Sequence, residues 1–161
     1  MKEIPLTQDK VALVDDEDYL SLINHKWNAH KDNGGHLYVY SSTYINKKHG
    51  VMKMHRYILG LKKDDGKLTD HMNGNGLDNR KCNLRICTKS ENNMNQAKTR
   101  GTSKYKGVSW CKNRKKWCAQ IKLNQKQYFI GYFLLEIDAA MAYDKKAVEL
   151  FGSFARLNFP L

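Results

Sequence analysis

The chain has 161 residues, with 28 Lys and Arg against 16 Asp and Glu, a net charge of +12 and 41% hydrophobic residues. This is a globular composition with a strong basic surplus, which excludes a disordered or collagen-like chain. No stretch reaches the roughly 20 apolar residues that span a bilayer, and MKEIPLTQDK lacks the charged-then-apolar order of a secretory signal. The expectation is a soluble, intracellular protein with no membrane partner. Cys82, Cys87, Cys111 and Cys118 form no C-x-x-C pair, so zinc-knuckle spacing is missing and reduced thiols are the simplest reading.

The charge is unevenly placed. Residues 1–52 carry −1, residues 53–99 carry +5 and residues 100–161 carry +8. A basic balance over the last two-thirds points to a polyanion, most often nucleic acid, although lysine-rich faces are also merely solvated in many proteins.

In chain order, Ile4-Pro5-Leu6 and Val11 to Val14 are short apolar runs, and the acidic cluster Asp15 to Asp18 suits the start of a helix through Ile23. Asp32-Asn33-Gly34-Gly35 lies between Trp27-Asn28-Ala29 and Leu37 to Tyr40, which reads as a hairpin. Asn46 to Gly50 reads as a second turn before Val51 to Met54. Residues 54–99 are rich in Asn, Gly and Asp, a composition of irregular backbone held by side-chain hydrogen bonds. There the spacing predicts a strand or short helix at His55 to Leu59 and a strand ending at Asp70-His71. A long Asn/Gly loop follows, then a strand at Leu84 to Ile86 and a helix from Thr88. Thr88-Lys89-Ser90-Glu91 has capping-box spacing.

Residues 97–103 read as a linker. Beyond them, Lys106 to Lys112, Lys116 to Leu123 and Gln127 to Phe133 alternate like three strands. A helical pattern then runs from about Glu136 to Phe151, with Ile137, Ala140, Met141, Ala147 and Val148 on one face and Gly152 placed to stop it.

Asp70-His71, Asn83 and Asn92, with His55 upstream, are the candidate chemistry. Phosphodiester hydrolysis needs an activated water, a cation against the charge building on phosphate, and a rigid frame between them. One carboxylate and one amide oxygen suit a hard cation such as Mg²⁺, and histidine suits the base. Each residue alone equally serves a turn. Taken in order, HRYILG, DHMNGNGLDN and NLRICTKSENN resemble the HNH endonuclease motif of phage and intron-encoded homing enzymes over about residues 54–96. The resemblance implies a ββα-metal fold with Asp70 and Asn92 as ligands of one divalent ion, Mg²⁺ or alternatively Mn²⁺. It implies His71 as general base and Asn83 as the residue that fixes the loop. His55 matches an upstream histidine, structural or phosphate-facing, and Arg85 is a plausible phosphate contact.

In the last third, YKGVSW, KWCAQIK, FIGYF, AAMAYDKKA and GSFARLNFP resemble the ethylene-response-factor (Apetala-two) DNA-binding domain over about residues 104–160. That family inserts its sheet in the major groove with the helix behind it. Period-two alternation independently turns Val108, Trp110, Ala119, Ile121, Tyr128 and Ile130 toward the helix. It turns Ser109, Cys111, Asn113, Gln120, Lys122, Gln127 and Phe129 outward. With Lys106, those outward positions match the family's DNA contacts. Ser109, Cys111 and Gln127 replace family arginines and Asn113 a tryptophan, so the plant recognition sequence is not implied. Leu135 stands where the family has a capping threonine.

The whole reads as α+β. A β-rich region (1–53) precedes a nuclease motif (54–96), a linker (97–103) and a DNA-binding domain (104–161). The expected activity is metal-dependent nicking of double-stranded DNA in a phage or bacterial host cell, by a monomer or a DNA-dependent dimer, with no small-molecule substrate. Two rival readings stay open, a non-cleaving DNA-binding regulator and an RNA-binding protein.

Overall fold

The computed structural model describes residues 1–45, 48–62, 65–97 and 101–160. They form an α+β protein of several small sheets and few helices, in two compact units, Met1–Cys87 and Thr88–Leu161. The division falls inside the 54–96 stretch. No helix among the described residues is long and apolar enough to cross a membrane.

In the first unit, β1 (Lys2–Pro5) and β2 (Val11–Val14) form an antiparallel hairpin, followed by α1 (Asp16–Leu22). Asp16, Glu17 and Asp18 occupy the first turn of α1, where exposed amides favour negative charge. A three-stranded sheet follows, β3 (Asn28–Lys31), β4 (Leu37–Ile45) and β5 (Lys48–Lys53), with β4 central. Its first turn is held by Asp32 Oδ1, which accepts from the amides of Gly34 at 2.9 Å and His36 at 2.8 Å. Of the second turn expected at Asn46 to Gly50, Lys48 to Gly50 belong to β5, and Asn46 and Lys47 lie outside the described residues.

Residues His55 to Leu59, which the sequence left between strand and helix, lie on and just after α2 (Met54–Ile58). Met54 joins Ile4, Ala12, Val14, Leu22, Trp27 and Val39 in one core, where each large side chain contributes about 1.5–3 kcal/mol by leaving water. β6 (Leu68–His71) and β7 (Leu84–Cys87) complete the unit as an antiparallel pair.

The second unit opens with α3 (Lys89–Met94). Its capping box is complete, with Thr88 Oγ1 accepting from the Glu91 amide and Glu91 accepting from the Thr88 amide. The next strands, β8 (Val108–Cys111), β9 (Lys116–Leu123) and β10 (Lys126–Phe133), form an antiparallel sheet with β9 in the middle, packed on α4 (Glu136–Phe151). Of the stretch read as a linker, Lys98 to Arg100 lie outside the described residues. Ser103 is buried, donates to Glu136 at 2.6 Å and accepts the Tyr105 amide at 2.9 Å, while Thr102 Oγ1 accepts the Trp110 amide.

One expectation fails on α4. Ile137, Met141 and Val148 are exposed, and the face toward the sheet carries Ala139, Ala140, Tyr143, Asp144 and Ala147. The reason is volume. Trp117, Phe133, Tyr105 and Phe159 pack against Ala139 and Ala140, whose small side chains admit close approach, while Tyr143 packs with Ile121 and Ala147. Gly107 shows the same tightness: it has φ +75°, and a Cβ there would meet the Tyr143 ring at 1.9 Å. Trp110, expected inward, is 37% exposed and packs edge-on against Trp117. Leu135, at the N-cap of α4, makes no side-chain cap.

Candidate functional site

Asp70 and His71 close β6. Neighbours on a strand point to opposite sides, but the strand stops at His71, and both residues are buried, at 6% and 5% exposure. Register sets Asp70 opposite Arg85 and His71 opposite Leu84. Arg85, expected at a phosphate, turns onto Asp70 instead, donating from Nε at 2.8 Å and Nη2 at 2.6 Å to Oδ2. The guanidinium thereby balances the buried carboxylate and orients it.

The loop between the two strands is held by amides. Asn83 takes both ends: its Oδ1 accepts the Asn73 amide at 3.0 Å, its Nδ2 donates to the Asp78 carbonyl at 2.8 Å, and its own carbonyl accepts from Met72. These bonds tie Asn83 to both ends of the loop. Asp78, at 2% exposure, accepts from Asn73 Nδ2 and from both Nε and Nη2 of Arg80 at 2.7 Å. That guanidinium holds the Asp78 carboxyl below its ordinary range. Asn79, fully buried, donates its amide to the Leu13 carbonyl and sets Oδ1 3.4 Å from His71 Nε2. With the proton on Nε2 the ring donates to that amide oxygen, which only accepts, and the lone pair then lies on Nδ1. Gly76 lets the loop lie against β4: a Cβ there would fall 2.2 Å from the Leu37 carbonyl and 2.7 Å from the Tyr38 ring.

His55, on the first turn of α2, meets His71 edge-on, with ring centroids 5.1 Å apart and planes at 88°. Tyr38 of β4 touches both rings, at 6.1 and 5.9 Å. His55 is 6% exposed, and its buried Nδ1 has no hydrogen-bond partner among the described residues. Burial pushes the His55 pKa down to about 3, with the His71, Lys53 and Arg56 charges adding. Burial also lowers His71, against the opposing pull of Asn79, Asp70 and Asp78. Both imidazoles are therefore neutral near pH 7. Burial raises the Tyr38 phenol, so it too is neutral there.

Asn92, the remaining residue of the candidate set, lies half-buried on α3 in the second unit. Among the described residues no three His, Cys, Asp or Glu side chains gather as a metal cage. The oxygen donors present suit a hard ion that keeps most of its water and takes few protein ligands.

On the sheet of the second unit, the register places six of the seven residues read as outward, all but Asn113, on one face. Ser109 pairs with Cys118, Cys111 with Lys116, Phe129 with Gln120 and Gln127 with Lys122, each pair on one face. Gln127 donates to the Gln120 side chain, and Phe129 is 59% exposed. A shift of register between Phe129 and Gly131 brings Tyr132 to the same face. Tyr132 stacks on Phe129 at 4.9 Å, and the Arg114 guanidinium lies 4.8 Å over its ring. Asn113 sits beside Arg114 in the 3₁₀ turn Lys112–Arg114.

Lys106 is turned inward, donating its Nζ to the Met94 carbonyl, and burial lowers its pKa to about 8. Sequence reasoning missed Asp144. Buried at 9% exposure, it accepts the amides of Asn158 and Phe159 and the Asn158 side chain, and Asn158 in turn bonds the Lys106 backbone. Its signal was present as an acidic residue one turn from Ala140 and Ala147, on the buried face of a helix.

Known proteins resemble the chain in parts. It is 33% identical over 114 residues to an uncharacterized HNH endonuclease, L560, of Acanthamoeba polyphaga mimivirus, covering 68% of this chain and 58% of that protein. Over 58 residues it is 43% identical to the ethylene-responsive transcription factor ERF024 of Arabidopsis thaliana, covering 35% of this chain and 32% of that one. The chain thus spans less than two-thirds of either protein, and no family model matches it. It is thus distantly similar to a viral HNH endonuclease and, over its last third, to an ethylene-responsive transcription factor. It is also 37% identical over 95 residues to Protein 3.8 of Escherichia phage T7, covering 58% of this chain and 77% of that protein, and it belongs to the family of Protein 3.8.

Proposed function

We propose that this protein is a metal-dependent DNA endonuclease of the HNH homing type, which nicks duplex DNA and is targeted by the β8–β10 sheet. The observation that carries this reading is His71, a buried neutral imidazole oriented by Asn79 beside the Asp70 carboxylate. The likeness to a viral HNH endonuclease and the basic charge support it.

In this reading His71 Nδ1 takes the proton of the attacking water, and Asn79 steadies the imidazolium that forms. Asp70 and Asn92 would hold the divalent ion, which when bound offsets charge building on the phosphate. Arg85 fixes the Asp70 carboxylate and Asn83 fixes the loop that carries the base. The outward sheet residues Ser109, Cys111, Asn113, Gln120, Lys122, Gln127 and Phe129 face the major groove.

The variant His71→Ala tests this directly, compared with the unaltered chain by gel shift and by cleavage. Loss of cleavage with binding intact supports the reading. Equal cleavage by both refutes the base assignment, and binding without cleavage by either turns the reading to a non-cleaving regulator.

A further inference from the structure

The second unit contains a cleft of about 830 Å³, and of its lining the reading above uses only Gln120, Lys122 and Gln127. One wall is α3, through Lys89, Ser90 and Asn93, and the other is the β9–β10 hairpin, through Lys122 and Asn124. Lys106 lines it as well, tied to α3 through the Met94 carbonyl. The lining holds three lysines and no carboxylate, and its floor includes Tyr143 and Phe151. An all-positive rim over an apolar floor is matched by a sugar-phosphate chain, anionic on one edge and apolar on the other. The cleft also reaches Gln120 and Gln127 of the outward sheet face, so a strand lying in it continues onto the bases that face would read.

We propose that this cleft grips the phosphodiester backbone of duplex DNA, with Lys89 and Lys122 on adjacent phosphates. The inference rests on the proposed DNA reading of the sheet. Residues four apart on a helix lie on the same face, so Lys89 and Asn93 share one face of α3.

The test uses the full chain, a 30-base-pair duplex and EDTA, with affinity measured across a salt series. Each phosphate contact contributes about 0.9 to the slope of log affinity against log salt. The double variant Lys89→Met, Lys122→Met is therefore expected to lower the slope by roughly 1.8. A control, Lys10→Met with Lys145→Met, removes the same charge from exposed positions outside the cleft and is expected to leave the slope nearly unchanged. Equal slope changes in the two double variants, or none in the first, overturn the inference while leaving the DNA reading standing. Failure of the unaltered chain to bind any duplex overturns both. Tighter binding of a structured RNA than of duplex overturns the duplex assignment.

Discussion

His55 offers a quantitative test of the buried imidazole pair. Below pH 6.5 the unfolded chain binds a proton at this residue that the folded chain refuses until about pH 3. Stability contributed by neutral His55 is thus complete above the ordinary histidine value and falls as pH falls. Between pH 7.5 and pH 5.0 the linkage amounts to about 2 kcal/mol for this one residue. At 6% exposure solvent does little to soften it. His55→Phe keeps a ring against His71 and Tyr38 and cannot titrate. The assay is urea unfolding in EDTA at the two pH values, followed by Trp27 fluorescence after Trp110→Phe and Trp117→Phe remove the other two tryptophans. Trp27 lies in the core that contains Met54, next to His55, so it reports the unit in question. The chain with His55 should lose about 2 kcal/mol more on acidification than the Phe variant. Equal losses would refute the neutral, buried assignment.

Three further outcomes follow from the same geometry. Arg85→Met strands the Asp70 carboxylate without its counter-charge and should cost about 3–5 kcal/mol in urea unfolding, most of which adding Asp70→Asn should restore. Gly107→Ala forces a Cβ into the Tyr143 ring and should destabilise the second unit by several kcal/mol, on the order of an overpacked core or more, while Trp27 still reports an unchanged first unit. The cleavage rate should hold level as pH falls through 6.5 and drop only below it, because His71 is lowered from its ordinary value and the neutral form is the base. A half-maximal rate at or above pH 6.5 would contradict that role.

What could be read from the residues was local. The hairpin turn at Asp32 to Gly35, the Thr88 to Glu91 cap and the last helix, Glu136 to Phe151, each rest on contacts within a few positions, and each lies where spacing placed it. Alternation also resolved the outward face of the C-terminal sheet, since a strand has only two sides. It did not resolve the face of α4. Large apolar residues at Ile137, Met141 and Val148 suggest burial, whereas the face packed on the sheet carries Ala139, Ala140, Tyr143 and Ala147. Arg85 was aimed at phosphate because no local rule pairs it with Asp70; that bond needs the register of two strands separated by the Asn/Gly loop. The contact of Tyr38 with His55 and His71 is equally long-range. So is the meeting of Asp144 with Asn158.

The central claim is that the chain cuts DNA. Purified protein incubated with supercoiled DNA from its source, with Mg²⁺ or with EDTA, tests it most directly. The account predicts conversion to open circles in Mg²⁺, none in EDTA, and none in Mg²⁺ with His71→Ala. Supercoiled DNA that stays intact in both Mg²⁺ and Mn²⁺ while gel shifts show it bound would contradict the account.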